Sequence, residues 1–328
     1  MKRQLGYAAL LLILAALLLP GAAAAGEKFS FSIVTGGTGG VWYPLGGAMG
    51  GVIGKNVPNT DATSEATTAA IDNLKLLVAG KAGMAFAYDY HAVWANEGKM
   101  TKELGKAQPV RVAMSFYEQP LHIVTKEGTG IRSVMDLRRK RVSVGAPNSG
   151  TEEQADYVLK TLGIDWNKDL TREKLGVGES VAALKDGKID AFFWSGAVPT
   201  GSIIDMANTP GVKMLMLPIG GEIADKIMKA NPGVFHKTVF AKGSYAGIEK
   251  DVETLAITAV LQAMDTFPAD KLYQIVKAIF DNKAELAAVW KGATKMTPAT
   301  AVGQVTSEAL KYVHPGAQKY FKEKGVLK

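Results

Sequence analysis

Two short stretches carry residue types that could hold a ligand. In the first, Val34-Thr35-Gly36-Gly37-Thr38-Gly39-Gly40-Val41-Trp42-Tyr43-Pro44, small and hydroxyl residues separate two apolar patterns. Before it, Phe29, Phe31 and Ile33 alternate as a strand does; after it, Leu45, Met49, Val52 and Ile53 mark a helical face, with Pro44 suited to a first helical turn. The stretch reads as strand, loop and helix N-terminus. Such a junction offers unpaired backbone N–H groups, hydroxyls and the positive end of a helix dipole, and glycines let the backbone approach a ligand closely. It suits the holding of a small anion, although a tight turn with no ligand would use the same residues. The second stretch, Gly145-Ala146-Pro147-Asn148-Ser149-Gly150-Thr151, joins a strand at 141–144 to a helix at 152–162, where Thr151 with Glu152, Glu153 and Gln154 supplies capping chemistry.

Catalytic chemistry finds no such pattern. The glycines at 36–40 miss the dinucleotide fingerprint, because Trp42 stands where its third glycine belongs. Gly54-Lys55 is followed by Asn56 and has Met49 where a phosphate-binding loop needs glycine. Ser149 has Pro147, not glycine, two residues before it, so it lies in no nucleophile elbow. His91, His122, His236 and His314 show no metal-ligand spacing, and Glu152 and Glu153 are adjacent and do not share a helix face. The absence of cysteine excludes disulfides, zinc–thiolate sites and thiol catalysis. No enzyme activity, metal or cofactor is expected.

The elements that must position the two loops repeat one plan: strand, Gly/Thr or Gly/Ser loop, helix, strand, helix, Gly-Lys, apolar strand, from Gly36 to Lys81 and again from Gly145 to Lys188. In the first half a short strand at 62–65 leads to Ala66-Thr67-Thr68, which open a helix buried through Ile71, Leu74, Leu77 and Val78. The strand at 84–88 then places Tyr88 and Asp89 at its C-terminal end, where open α/β sheets put ligands. In the second half, helix 181–184 precedes the strand 190–194, which ends in Trp194-Ser195-Gly196. Helices are also read at 133–139, 199–206 and 220–230, and a strand at 213–218. Two similar α/β lobes follow, with a cleft between them as the natural ligand site. The run 110–124 is too long for one ordinary strand and contains Pro120, which cannot donate to a central ladder. A strand leaving one sheet for another explains both facts and places a crossing at 117–120. We take 234–240 as the return, and 252–267, 269–280 and 283–288 as helices packing on the first lobe. The expected lobes are 26–118 with 236–328, and 119–235.

The 328 residues are 47% hydrophobic, enough for real cores. Lys2 and Arg3, an apolar run at 8–19, the Pro20-Gly21 break and small residues at 22–25 read as a signal peptide over 1–25, with a retained anchor as the alternative. The mature chain would begin at Gly26 or Glu27 and be exported to a periplasm, since no later stretch reaches the ~18 apolar residues of a membrane helix. The formal charge of +7 is spread over Lys-rich helices, so nucleic acid is not an expected partner, though a mild positive field helps collect anions.

Long segments resemble the TAXI family, the substrate-binding subunits of TRAP transporters. They are 35–40 with Tyr43-Pro44-Leu45-Gly46-Gly47, Glu65-Ala66-Thr67, Asp72-Asn73-Leu74, 141–152, 183–193 and His314-Pro315-Gly316-Ala317. The resemblance covers nearly all of the mature chain. It implies a type II periplasmic-binding-protein fold, with two α/β lobes joined by two crossings. It also implies a monomer that captures a small organic acid, glutamate-like or dicarboxylate, and delivers it to membrane permease subunits driven by an ion gradient. By position, the implied first-lobe contacts are Thr35, Gly36, Gly37, Thr38, Trp42 and Tyr43, with Ala66, Thr67, Tyr88 and Asp89 beside them. Those of the second lobe are Ser149, Gly150, Thr151, Trp194, Ser195 and Gly196. Two positions depart: Tyr88 stands where members often carry an amide, and Trp194-Ser195 replaces the commoner Phe-Thr pair. Both add aromatic bulk. An exported α/β enzyme, a sensor for a membrane kinase and a receptor for neutral or aromatic compounds are the alternative functions.

Overall fold

The computed structural model describes residues 28–328; the expected signal peptide lies outside the described residues. The strands are β1 (Phe29–Val34), β2 (Thr60–Glu65), β3 (Met84–Tyr88), β4 (Val110–Lys126), β5 (Arg141–Ser143), β6 (Thr171–Glu173), β7 (Ala191–Ser195), β8 (Met214–Met216), β9 (His236–Phe240) and β10 (Val252–Met264). In the first lobe they pair in the order β2-β1-β3-β10-β4, and in the second β6-β5-β7-β4, with β8 also on β4. Strands β2, β1 and β3 are parallel, as are β6, β5 and β7; β10 and β4, respectively, run antiparallel beside them. Each lobe thus contains three parallel strands with an antiparallel strand beside them, β10 in the first and β4 in the second. β3, Met84-Ala85-Phe86-Ala87-Tyr88, is buried along its whole length, as suits a strand covered on both faces.

The helix Trp42–Asn56 packs very close to the sheet. A Cβ on Gly46 would lie 2.5 Å from Thr35 Cγ2, and one on Gly50 2.4 Å from the Ala62 carbonyl oxygen. Only glycine lets the helix lie there, which holds the first loop against β2.

β4 is the outward crossing. It pairs with β10 from Val110 to Pro120 and with β7 from Leu121 to Thr125, so its partner changes beside Pro120. The residue without an N–H falls where the ladder is handed over.

The return crossing differs from expectation. Residues 252–264, read as helix, form β10 between β3 and β4. Its alanines and leucines suit a helix, but Leu255 to Ala263 are buried without a break and the run is rich in β-branched residues, the mark of a central strand. β9, expected as the return, instead pairs with Val252–Ala256 of β10. Its last residue, Phe240, and Tyr245 and Ile248 after it join an apolar cluster with Val124, Val177 and Phe192 of the second lobe. The chain after 236 therefore stays with the second lobe until β10 carries it back. The reading at 133–139 reduces to a 3-10 turn, Val134–Leu137. The helix expected to open at Ala66 begins later, as Ala70–Val78. Beyond β10, helices Ala269–Asp281 and Pro315–Glu323 pack together on the first lobe as expected.

Candidate functional site

A cavity of about 290 Å³ lies between the lobes. Its first corner is the loop after β1, where the Gly40 N–H donates to the Gly37 carbonyl at 3.1 Å. Gly36, Gly37, Thr38, Trp42 and Thr67 face the cavity. Asn73, fully buried, fixes this corner. Its amide donates to the carbonyls of Thr35 (2.5 Å) and Phe86 (2.7 Å), and its oxygen accepts from the Thr67 hydroxyl at 2.6 Å. One side chain thereby ties the ends of β1 and β3 to the loop after β2. Thr35 itself lies outside the lining, its hydroxyl spent on the Glu65 carbonyl at 2.7 Å. Ala66 and Tyr43 also lie outside it, and Tyr43 is 37% exposed on the helix's outer side.

Ala69, which lines the cavity and precedes the helix Ala70–Val78, has φ 91° and ψ −160°. That region is essentially reserved for glycine and costs roughly 1–3 kcal/mol in any other residue. Ala69→Gly is expected to raise the melting temperature by about 2 °C, the strain relieved exceeding the ~0.5–1 kcal/mol entropy of a new glycine; differential scanning calorimetry would show it, and a lower melting temperature would mean that the surroundings absorb the strain.

The second corner is the loop after β5. Gly145 has φ 101°, and a Cβ there would lie 2.7 Å from Thr151 Cβ. Ser149 caps the helix Gly150–Thr161, accepting from the Glu152 N–H at 3.1 Å. The Thr151 hydroxyl accepts from the Ser195 N–H, also at 3.1 Å. Each hydroxyl uses its oxygen on the backbone and keeps its proton to give. Ser149, Gly150, Thr151, Trp194, Ser195 and Gly196 all line the cavity. Trp194 Nε1 donates to the Thr200 hydroxyl at 3.0 Å, which fixes the orientation of the ring.

The two corners touch. The Trp194 ring lies over Gly40, where a Cβ would be 3.2 Å away, and the Ser202 hydroxyl donates to the Gly39 carbonyl at 3.2 Å. Tyr88, from the end of β3, lies against Gly150 so closely that a Cβ on Gly150 would stand 2.0 Å from its ring. Burial pushes the Tyr88 phenol well above its ordinary value, so it is a neutral donor. Beside this contact, Glu153 of the second lobe accepts from Tyr90 (2.6 Å) and pairs with His91 Nε2 (2.9 Å), both of the first-lobe helix Asp89–Asn96, and accepts from Tyr157 (2.8 Å) on its own helix. Burial raises the Glu153 carboxyl, but the neighbouring His91 and the hydrogen bonds of His91, Tyr90 and Tyr157 outweigh it and hold the group below the usual carboxylate range.

Asp89, expected beside Tyr88 in the site, lies outside the lining. Its carboxylate accepts from the N–H groups of Tyr90 (2.9 Å) and Thr306 (3.0 Å), holding first-lobe elements together. Other lining residues escaped the sequence reading: Tyr117 and Gln119 on β4, and Val177, Gly178 and Glu179 at the start of the helix Val177–Lys185. The first pair carried a usable signal, since a strand that crosses between lobes must run along the floor of their cleft. Among the described residues, no Lys, Arg or His lines the cavity and Glu179 is the one carboxylate there, accepting from the Gly176 N–H at 2.9 Å. Among the described residues no cluster could hold a metal ion.

Two parallel-stranded lobes, two strands shared between them and a cleft lined by loop–helix corners define the type II periplasmic-binding-protein fold. Within it, the chain matches the NMT1-like family over residues 33–325 and belongs to that family. Among solved structures it is similar to a protein of Bordetella bronchiseptica RB50, with 15% identity over 92% of this chain and 90% of that one and a TM-score of 0.50. It is also similar to a putative L-cystine ABC transporter protein of Listeria monocytogenes (16%, 82% and 98%, 0.49). A third similar structure is the periplasmic aliphatic sulphonate binding protein SsuA of Escherichia coli (12%, 92% and 95%, 0.45).

Proposed function

We propose that this protein is a periplasmic solute receptor, not an enzyme, that captures a small organic anion between its lobes and delivers it to the membrane subunits of a TRAP transporter. The observation that carries the reading is the cavity of about 290 Å³ faced by both loop–helix corners, a size at the lower end of small-molecule sites. Backbone N–H groups of the glycine loops and the Thr38, Ser149 and Thr151 hydroxyls would hold the anion's oxygens, with Trp42 and Trp194 over its apolar atoms. Ligand contacts on both lobes favour the closed arrangement, because only that arrangement makes both sets. The choice of a TRAP permease and of an organic acid rests on the sequence's resemblance to the TAXI family, as does delivery driven by an ion gradient.

The test is a thermal-shift screen of the exported chain against carboxylates, amino acids, sulfonates and neutral metabolites. A ligand at 100 times its Kd adds ~2.7 kcal/mol, which raises the melting temperature by several degrees. One acid should give that shift without being consumed, and the Ser149→Ala/Thr151→Val double variant should lose most of it. Turnover of the bound compound, or silence across the whole screen, would overturn the receptor reading; unchanged affinity in the double variant would remove the second corner from the site.

A further inference from the structure

A closed chain of hydrogen bonds holds Trp194 at its carbonyl and at its indole nitrogen. His122, on β4, stands opposite Trp194 of β7 and is fully buried, as is Thr200, while Tyr245 is 4% exposed. His122 Nδ1 lies 3.1 Å from the Trp194 carbonyl oxygen. Its Nε2 lies 3.0 Å from the Tyr245 hydroxyl, which accepts from the Thr200 N–H at 3.0 Å. A carbonyl can only accept, so the imidazole proton sits on Nδ1, and Nε2 accepts the Tyr245 proton. Burial pushes the imidazole down to about 3 and the Tyr245 phenol up to about 12, which keeps both neutral. The chain closes through side chains: Trp194 Nε1 donates to the Thr200 hydroxyl at 3.0 Å, and that hydroxyl donates to the Ala197 carbonyl at 2.6 Å. Each of these donors meets one acceptor. His122, Thr200 and Tyr245 do not line the cavity. They sit by an apolar cluster, with the His122 ring centre 4.5 Å from that of Phe240, where a polar network is costly unless it is complete.

We infer that Tyr245 and His122 are positioning residues for solute capture: acting with Thr200, they fix the Trp194 ring and the Ser202 hydroxyl, groups of the second lobe that lie against the first glycine loop. The inference rests on the reading of the cleft as a solute site and deepens it. A complete buried network selects one arrangement of the groups it joins. This one ties the backbone of Trp194 to Thr200, the residue before the helix Gly201–Ala207. Ser202 stands in the first turn of that helix and donates to the Gly39 carbonyl, while the Trp194 ring covers Gly40. Gly39, Gly40 and Trp194 all line the cavity. Tyr245 comes from the segment between β9 and β10, and His122 from β4 beyond its change of partner. Chain that links the lobes therefore sets a wall of the cleft. A ring already held in place spares the ligand the cost of ordering it on binding.

The indole N–H signals of the isotope-labelled wild-type chain and of Tyr245→Phe, compared by NMR without ligand, test the placement. The Trp194 signal, identified by its loss in Trp194→Phe, should shift in Tyr245→Phe and exchange with water roughly tenfold faster. It should also move in Thr200→Val, which removes its acceptor, while the other indole signals stay in place. A Trp194 signal moved by Thr200→Val and unmoved by Tyr245→Phe would overturn the inference. If Tyr245→Phe fails to fold, the wild-type chain decides: long-range proton–nitrogen spectra should show His122 protonated on Nδ1 alone, and a proton on Nε2 would overturn the inference. Isothermal titration with L-glutamate and with succinate supplies the functional readout. Tyr245→Phe should bind whichever acid the wild type binds roughly tenfold more weakly, and unchanged affinity would overturn its role in capture. A tyrosine serving only the stability of the second lobe would lower the melting temperature and move neither readout. If neither acid binds the wild type, the organic-acid reading of the cleft is what fails, and the indole spectra still decide the placement of Trp194.

Discussion

Gly150→Ala is expected to weaken ligand binding by about thirtyfold to a hundredfold while leaving each lobe folded. An alanine is the better helix former at this first position of the helix Gly150–Thr161, so the second lobe alone should not suffer. The cost arises across the cleft, where the new methyl would stand 2.0 Å from a Tyr88 ring carbon and 2.4 Å from its hydroxyl. The ring is 2% exposed and packed on Trp42 and Tyr90, so it has nowhere to go, and the lobes must part instead. Overpacking of this kind costs roughly 1–3 kcal/mol, and 2.7 kcal/mol is about a hundredfold in affinity. Calorimetric titration with the acid found by screening, alongside far-UV circular dichroism, separates the two effects. Tyr88→Leu in the same chain should recover part of the loss. Wild-type affinity in Gly150→Ala would mean that the bound state does not need this approach of the lobes.

The loops and the outward crossing were legible in the residues themselves. Glycines and hydroxyls between a strand and a helix, twice at the same spacing, and a proline inside an overlong strand, each have one economical structural reading. The return crossing was not legible, because Val252 to Met264 is an apolar run in which helix and buried strand share one pattern; only the gap it fills between β3 and β4 decides. Within the site, residues at strand ends were foreseeable as a group and not one by one. Tyr88 and Asp89 are neighbours at the end of β3, and the pleat with the turn into the next helix sends one to the cleft and the other to Thr306. Thr35 looks like Thr38 in sequence, yet its hydroxyl is consumed by the Glu65 carbonyl. Tyr117 and Gln119 were passed over because they were weighed as crossing residues and not as cleft floor.

Glu153→Ala should cost about 3–5 kcal/mol, the usual penalty for removing one partner of a buried charged cluster. Tyr90, His91 and Tyr157 would lose their common acceptor, and the first two would lose their tie to the second lobe. A melting temperature lower by about 10 °C is expected for a chain of this length. The pH dependence follows from the lowered carboxyl. A folded value below the unfolded ~4.3 means that this contribution is fully present above that pH and is lost as pH falls through the folded value. The stability difference between wild type and Glu153→Gln should therefore shrink as the pH falls below about 4. Chemical denaturation of both chains from pH 3 to pH 7 measures it, and a difference that grows on acidification would contradict the assigned charge state.

The partner change at Pro120 has a consequence for what counts as a unit in this molecule. The first half of β4 belongs to one sheet and the second half to the other, and β10 reaches from β9 at one end to β3 at the other. Each lobe therefore borrows an inner strand from chain that also serves its neighbour. A gene fragment encoding either lobe would lack a strand that its sheet requires, so the two halves are not separable modules despite their repeated plan. The two lobes must therefore be assembled, and dismantled, as one.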